Sequence, residues 1–534
     1  MDKLLRFFLI LAAVSALFAA PVRASHLQGG DLTYASLGNN QYRVTLHVYR
    51  DCSGIQFSPF TLECRAGGCN AAAVVTAPFV QVGPASVGRQ YCATLSGICT
   101  GTGPANSEAY TFAATVTLPP AAHWVLSTIQ SARPVTTNLA GNGGNLYLEA
   151  TLNNLVPRAG SSGTVITNNS PVASALPVSF VPVHQNSVLS NSAFDVDGDS
   201  LVYSLDRPLD FCGSPAAYAA YPMPATSTLG PGCYLQGPVA STYISDLPVF
   251  VDNDTLGTCP LKTAVPRFGF NPRTGSISLS PARYLNTASA LGDNKYAAVV
   301  KITEYRRVNG AYAEVGTMRR ELYLVVYDCG TNVMPRMAPA VTVQLGTRST
   351  TQPLNQIIPV VAGEPVSVVL TATDANAGQA LTLTLDYNAT PGTALQNLGG
   401  GQARLTYTPA LNLPDGLYRV AVTAEDNACP IKGLETQVVT FRVSGAPLAT
   451  RSAAPLAVAA FPNPFTGLVQ FQLATPGMQT LTIYDNLGRL VAAVRSQADG
   501  TVRWQPAPEL PAGLYLARTA DGLQTVRLLR QAGI

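Results

Sequence analysis

Leu481-Thr482-Ile483-Tyr484-Asp485-Asn486-Leu487-Gly488-Arg489-Leu490-Val491 consists of two alternating apolar runs on either side of Asp485-Asn486-Leu487-Gly488. Alternation with a period of two puts one face of each run inside, and the polar tetrapeptide reads as a hairpin turn in which Gly488 is free to take positive φ. Upstream lies Phe461-Pro462-Asn463-Pro464-Phe465. Its two prolines remove backbone donors and are expected to hold the chain extended as it steps onto a sheet edge. Downstream, Leu510-Pro511-Ala512-Gly513-Leu514-Tyr515-Leu516-Ala517-Arg518 starts another strand at Ala512-Gly513, and Val526-Arg527-Leu528-Leu529-Arg530 closes the series. The last seventy-odd residues therefore read as a small all-β module.

The rest of the chain has the same character. Only 12% of its residues are charged, while 45 glycines and 40 prolines punctuate runs rich in Thr, Ser and Val. Short strands joined by turns are the reading, and 534 residues have room for roughly three or four domains. Lys and Arg number 33 against 30 Asp and Glu, a net charge of +3, and no basic stripe stands out that could track phosphates, so nucleic acid is not an expected partner. Met1 to Ala24 combines Lys3 and Arg6 with an apolar run from Phe7 to Ala20 and the small-residue site Val22-Arg23-Ala24 before Ser25. It reads as a signal peptide cleaved between Ala24 and Ser25. No other apolar run approaches the roughly 20 residues that span a bilayer. Ten cysteines behind such a leader point to an oxidising compartment and disulfides.

The four separated pieces between Phe461 and Gln531, in that order, closely resemble the type A C-terminal sorting domain of the type IX secretion system of certain Gram-negative bacteria. The resemblance implies a sorting signal at residues 461–534, carried by Pro462, Asn463, Pro464, Asp485, Gly488, Gly513 and Tyr515. It implies as partners the type IX translocon and its sortase-like protease. A secreted protein, or one attached to the outer cell surface by a lipopolysaccharide anchor after passage through the periplasm, is the corresponding expectation.

From Ser25 the chain runs through Ser25-His26-Leu27-Gln28-Gly29-Gly30, turns at Gly38-Asn39-Asn40, and enters Tyr42-Arg43-Val44-Thr45-Leu46-His47-Val48. Tyr42, Val44, Leu46 and Val48 share the face expected to be buried. With Tyr49-Arg50-Asp51-Cys52 and Asn168-Asn169-Ser170-Pro171-Val172, this stretch resembles large surface proteins that accompany gliding-motility and adhesion-type cargo of the same secretion system. Residues 25–175 are taken as an N-terminal disulfide-containing β domain with five cysteines. Cys64/Cys69 and Cys92/Cys99 are close enough to close small loops, and the odd count leaves either a free thiol or a bridge to another domain.

Phe194-Asp195-Val196-Asp197-Gly198-Asp199-Ser200-Leu201-Val202-Tyr203 is an acidic turn feeding a strand, followed by Phe268 to Ile277 and by Glu321 to Tyr327. This order resembles a cadherin-like or Ig-like repeat at 176–332, with an insertion at 208–260. A second copy occupies 333–444, with Asp374, Asn376 and Gly378 at the acidic turn, and 445–460 is a linker. The expected fold class is all-β: tandem antiparallel β-sandwiches, Ig-like or cadherin-like, ending in a small β-sandwich sorting domain.

Asp195, Asp197 and Asp199 alternate around a turn that Gly198 can bend, and three converging carboxylates suit calcium. The spacing is not that of an EF-hand. The alternative is a solvated turn whose aspartates form Asx turns. His26, His47, His123 and His184 have no metal-ligand spacing, and neither H-E-x-x-H nor G-x-S-x-G occurs. The chain is expected to be no enzyme but a structural or adhesive surface protein that meets an extracellular protein or glycan. The rivals are a secreted hydrolase with accessory β-sandwich modules and a carbohydrate-binding surface protein that uses exposed tyrosines.

Overall fold

The computed structural model describes residues 27–51, 58–71, 75–87, 90–92, 107–131, 133–141, 144–158, 162–174, 178–287, 292–385, 390–445, 454–455, 460–473, 477–519 and 524–532. The expected signal peptide and its cleavage point at Ala24 and Ser25 lie outside these residues. The chain divides into two compact units, Met1–Gly445 and Ala446–Ile534. Among the described residues the regular elements are β-strands, as the alternating patterns predict.

The first unit is built on the strand Ala311–Tyr327, 17 residues long. One of its edges is taken by Lys295–Val308. The other is shared in series by Asn145–Leu152 at Gly316–Met318, by Leu27–Gly38 at Glu321 and Arg320, and by Val178–Pro182, which runs parallel from Tyr323 onward. Because both edges and both faces are covered, its second half is buried almost throughout instead of alternating. A single sheet of 13 strands results. The boundary expected at residue 175/176 therefore does not interrupt the hydrogen-bonding ladder. Two apolar cores still form on it, one around Val44, Leu46, Leu62 and Trp124, the other around Tyr203, Val249, Ile302 and Met318.

The first hairpin follows its pattern. Tyr42, Val44, Leu46 and Val48 are buried, and Asn39 and Asn40 take positive φ at the turn. Gly29-Gly30 has a steric origin. A Cβ on Gly29, whose φ is +94°, would stand 2.3 Å from the Glu321 carbonyl oxygen, so the close approach of the long strand requires glycine there. Arg133, 2% exposed, donates to both carboxylate oxygens of Glu321 and to Asp210, tying the expected insertion to the same strand.

Residues 333–445 form a sandwich within the first unit. One sheet carries Ala340–Leu345, Val366–Thr373 and Gln402–Tyr407, and the other Ile358–Val361, Leu434–Ser444 and Gly416–Glu425. Val341, Val368, Leu405, Val420 and Phe441 fill the space between them.

The cysteines correct the expected local loops. Cys69 bridges Cys212, Cys92 bridges Cys429, and Cys233 bridges Cys259. Cys64 is a free, buried thiol, because its place on Thr61–Ala66 points it into the first core while Cys69 sits on the turn beyond. Cys52 and Cys99 lie outside the described residues. The Cys92–Cys429 bridge is backed by backbone bonds from Cys92 N to the Pro430 carbonyl and from Lys432 N to the Gln90 carbonyl.

The second unit has a sheet of Ala454–Pro455, Gln524–Arg530, Gly513–Thr519, Thr480–Asp485 and Leu490–Arg495, with Val469–Gln472 and Thr501–Trp504 paired beside it. Phe465, Phe471, Ile483, Trp504, Tyr515 and Leu528 make its core. The linker expected at 445–460 is thus corrected at two places: Ala454 and Pro455 pair with Gln524 and Thr525, and Ala460 is part of the core.

Candidate functional site

The acidic turn precedes Ser200–Asp206, which pairs with Lys295–Val308. That register brings Glu304 and Arg306, about a hundred residues away in sequence, beside the three aspartates. Gly198 takes φ +75° and lies against Pro414 and Tyr418. The expectation that all three carboxylates converge is corrected. Asp197 is held apart by the Asn169 backbone N–H at 2.8 Å, by the Asn169 side-chain amide at 2.7 Å and by Arg306 Nη2 at 2.7 Å. The group that comes together is Asp195, Asp199 and Glu304, whose nearest carboxylate oxygens all lie within 4.8 Å of one another.

Arg306 supplies the counter-charge. Its Nε and Nη2 donate to the two oxygens of Asp199 at 2.7 and 2.6 Å, a two-pronged pair, and further bonds reach the Thr167 carbonyl and Asn168 Oδ1. Asp195 Oδ1 accepts the Asp199 N–H at 3.0 Å. Glu304 Oε2 accepts the Asn168 amide at 2.9 Å, and Asn168 also donates to the Tyr34 hydroxyl. Two oxygens are left over: Asp195 Oδ2 and Glu304 Oε1 are buried without a hydrogen-bond partner.

One guanidinium cannot neutralise four carboxylates in so dry a place. Burial, with the charges of Asp199 and Asp197 added, pushes the Asp195 carboxyl up to about 7. Burial and the neighbouring Asp195 raise Glu304 well above the usual carboxylate range. The cluster can be satisfied by protons or by a cation. Oxygens around one calcium ion sit about 2.3–2.6 Å from it, hence within about 5 Å of each other, so the donor set fits that ion. In the second copy Asp374 Oδ1 accepts the Asn376 N–H at 2.7 Å, an Asx turn. Sequence reasoning missed Glu304 and Arg306, which sit in an ordinary strand pattern and carry no local signal.

Among the described residues the histidines do not cluster: His47 pairs with Asp31 at 2.8 Å and His184 with Asp252 at 3.0 Å, while His123 meets Asn153 at 3.1 Å. His26 lies outside the described residues.

In the second unit Asp485 ends its strand by accepting the backbone N–H groups of Leu487 and Arg489 and the Arg489 Nε, with Gly488 at φ +77° as expected. The stretch at Pro462, Asn463 and Pro464 bends instead of running extended, and both X-Pro peptides are cis. Asn463 does what the prolines cannot, donating to the Arg527 carbonyl and accepting the Leu529 N–H. Gly513 opens the strand Gly513–Thr519, as Ala512-Gly513 predicts, with no positive φ and open space around its missing Cβ. Tyr515 is buried, donates to the Pro511 carbonyl at 2.6 Å and packs edge-on against Trp504.

Comparison with known proteins agrees with this last region. Residues 459–528 match the family described as "Secretion system C-terminal sorting domain". No curated protein matches the chain. Similar solved structures include an I-band fragment of titin (9% identity, 68% of this chain and 97% of that one, TM-score 0.16) and Drosophila OTK extracellular domains 3–5 (11%, 68% and 97%, 0.14). An endo-fucoidan hydrolase of glycoside hydrolase family 107 is similar at 12% identity over 69% of this chain and 39% of that one, with a TM-score of 0.15. Likeness at this level carries no argument, and the all-β class rests on the strands themselves. Residues 459–528 form a type IX secretion C-terminal sorting domain, which marks the chain for export by that system to the medium or the cell surface.

Proposed function

We propose that the chain is a structural or adhesive surface protein, not an enzyme, delivered by the type IX machinery and processed or anchored there by its sortase-like protease and lipopolysaccharide. The sorting domain carries this reading. The cargo unit supports it: sheets locked by long-range disulfides make a mechanically coherent body, and the acidic cluster offers Asp195, Asp199 and Glu304 as donors for a calcium ion, while Asp197 is held by Arg306. A calcium site suits an exported protein, since extracellular modules bind the ion at about 0.1–1 mM.

The test is cell fractionation together with adhesion. A chain ending at Gly445 is expected to fold and stay in the periplasm, residues 446–534 fused to an unrelated periplasmic protein are expected to carry it outward, and cells lacking the chain are expected to lose attachment to protein- or glycan-coated surfaces. Normal surface delivery of the shortened chain would refute the export reading, and unchanged attachment would refute the adhesive one.

A further inference from the structure

Beside the acidic cluster, still within the first unit, a groove of about 1260 Å³ runs between the loop at Asn271–Thr274, the ends of the strands Lys295–Val308 and Ala311–Tyr327, and the sandwich at 354–442. Its charged lining is five arginines and three aspartates, with no lysine or glutamate. Arg306 is neutralised by Asp197 and Asp199. Asp415 is turned toward the Gly445 N–H at 2.5 Å. Arg273, Arg307, Arg419 and Arg442 make no ion pair among the described residues, and three of these four are exposed.

Arg419 is the informative one. It is only 4% exposed, its Nε donates to the Arg273 carbonyl at 2.7 Å, and its guanidinium lies over the Tyr203 ring at 5.3 Å. A cation held this deep without a carboxylate is costly unless an anion completes it. The arginine fork matches a carboxylate or a sulfate with two parallel bonds.

We propose that this groove binds an extended acidic polysaccharide, one whose sugars carry carboxylate or sulfate groups. Two features favour a sugar over another polyanion. Tyr312, 73% exposed and paired across the strands with Arg307, offers an open ring face next to a cation, the surface on which a pyranose stacks. Asn271, Asn355 and Gln437 set donor and acceptor amides among the arginines, suited to hydroxyls. A nucleic acid would need a longer run of cations than one groove whose surplus is two charges. The proposal deepens the surface-protein reading by naming a ligand class, and it can fail while that reading stands.

The experiment uses the purified full chain against immobilised polygalacturonate, dextran sulfate, unsulfated dextran, polyglutamate and single-stranded DNA. Retention by one of the two acidic polysaccharides and none by dextran is expected. Neutralising Arg273, Arg307 and Arg442 together to Ala should weaken binding about tenfold or more at low salt, and Arg404→Ala, outside the groove, should leave it within about twofold. These side chains are exposed, so an unchanged melting temperature verifies the fold. Tyr312→Ala should weaken polysaccharide binding about threefold or more and leave any polyglutamate binding alone. Equal retention by dextran, tighter binding of polyglutamate or DNA, or wild-type affinity in the triple variant would each overturn the proposal; adhesion of cells producing that variant to protein-coated surfaces reports separately on the surface role.

Discussion

Two corners of the molecule share a six-residue frame, Leu413-Pro414-Asp415-Gly416-Leu417-Tyr418 in the cargo and Leu510-Pro511-Ala512-Gly513-Leu514-Tyr515 in the sorting domain. Locally they are alike. In each the tyrosine is buried and its hydroxyl donates to the proline carbonyl four residues earlier, at 2.8 Å in the cargo and 2.6 Å in the sorting domain. Their surroundings differ. Tyr418 packs on Phe194, and Pro414 presses on Gly198, so the cargo corner braces the acidic turn. Tyr515 packs on Trp504 of its own core, and the space around Gly513 is open. One short pattern thus sets a chain reversal, and what the reversal supports is decided by its surroundings, more than two hundred positions away in the cargo and eleven away, at Trp504, in the sorting domain.

The contrast breaks most visibly at Gly198. A Cβ there would stand 2.6 Å from Pro414 Cβ, on a residue with φ +75°. Gly198→Ala is expected to destabilise the cargo unit by about 2–5 kcal/mol, read by thermal or urea unfolding. Loss of under about 1 kcal/mol would mean that the two corners are equally unbraced.

Next comes the charge beside that brace. The Asp195 carboxyl is raised to about 7 by burial and by Asp199 and Asp197, so the folded state holds a proton that the unfolded chain releases near the ordinary carboxylate value of about 4. The folded state binds more protons in that interval, and stability is therefore full below about pH 4 and falls as pH rises toward about 7, by on the order of a few kcal/mol. Asp195→Asn should flatten the fall and be the more stable protein at pH 7.5 without calcium. In about 5 mM calcium the wild type should recover roughly 1–2 kcal/mol and Asp195→Asn much less. Identical calcium responses in the two proteins would leave only the proton.

A smaller effect sharpens what the corners share. Tyr418→Phe and Tyr515→Phe each remove one hydrogen bond and should each cost about 1 kcal/mol in their own unit, measured by unfolding. A cost confined to Tyr418 would show that bracing, not the corner, gives the bond its value. The smallest change is expected from Gly513→Val: with no positive φ and no neighbour to strike, it should shift stability by less than about 0.5 kcal/mol and leave export intact. Loss of export with the fold preserved would place Gly513 in direct contact with the secretion machinery.

The features legible in the sequence are those whose cause is local. Alternation at Tyr42–Val48, the turns at Asn39-Asn40 and Gly488, and the acidic bend at Gly198 follow from period two and from backbone freedom at single residues. The sorting domain was legible because its motifs recur in order. What was hidden depends on register between distant segments. Glu304 and Arg306 reach the aspartates only because Ser200 pairs with Tyr305. Cys69 finds Cys212 across 143 residues, a separation on which the spacing of neighbouring cysteines has no bearing. Gly513 belongs with the local features: the strand start that Ala512-Gly513 predicts is where Gly513–Thr519 begins.

The strand Ala311–Tyr327 sets an order of events as the chain emerges and folds. Leu27–Gly38, Asn145–Leu152 and Val178–Pro182 all pair with it, so three early segments wait with an open edge until the chain has emerged as far as residue 327. Such distant pairing is slow to form, and unpaired edges are sticky while they wait. The sorting domain at 459–528 is made later still. The address is thus written only on chains that already possess the strand their cargo must close upon, and a chain broken off before residue 327 can neither complete its sheet nor present itself for export.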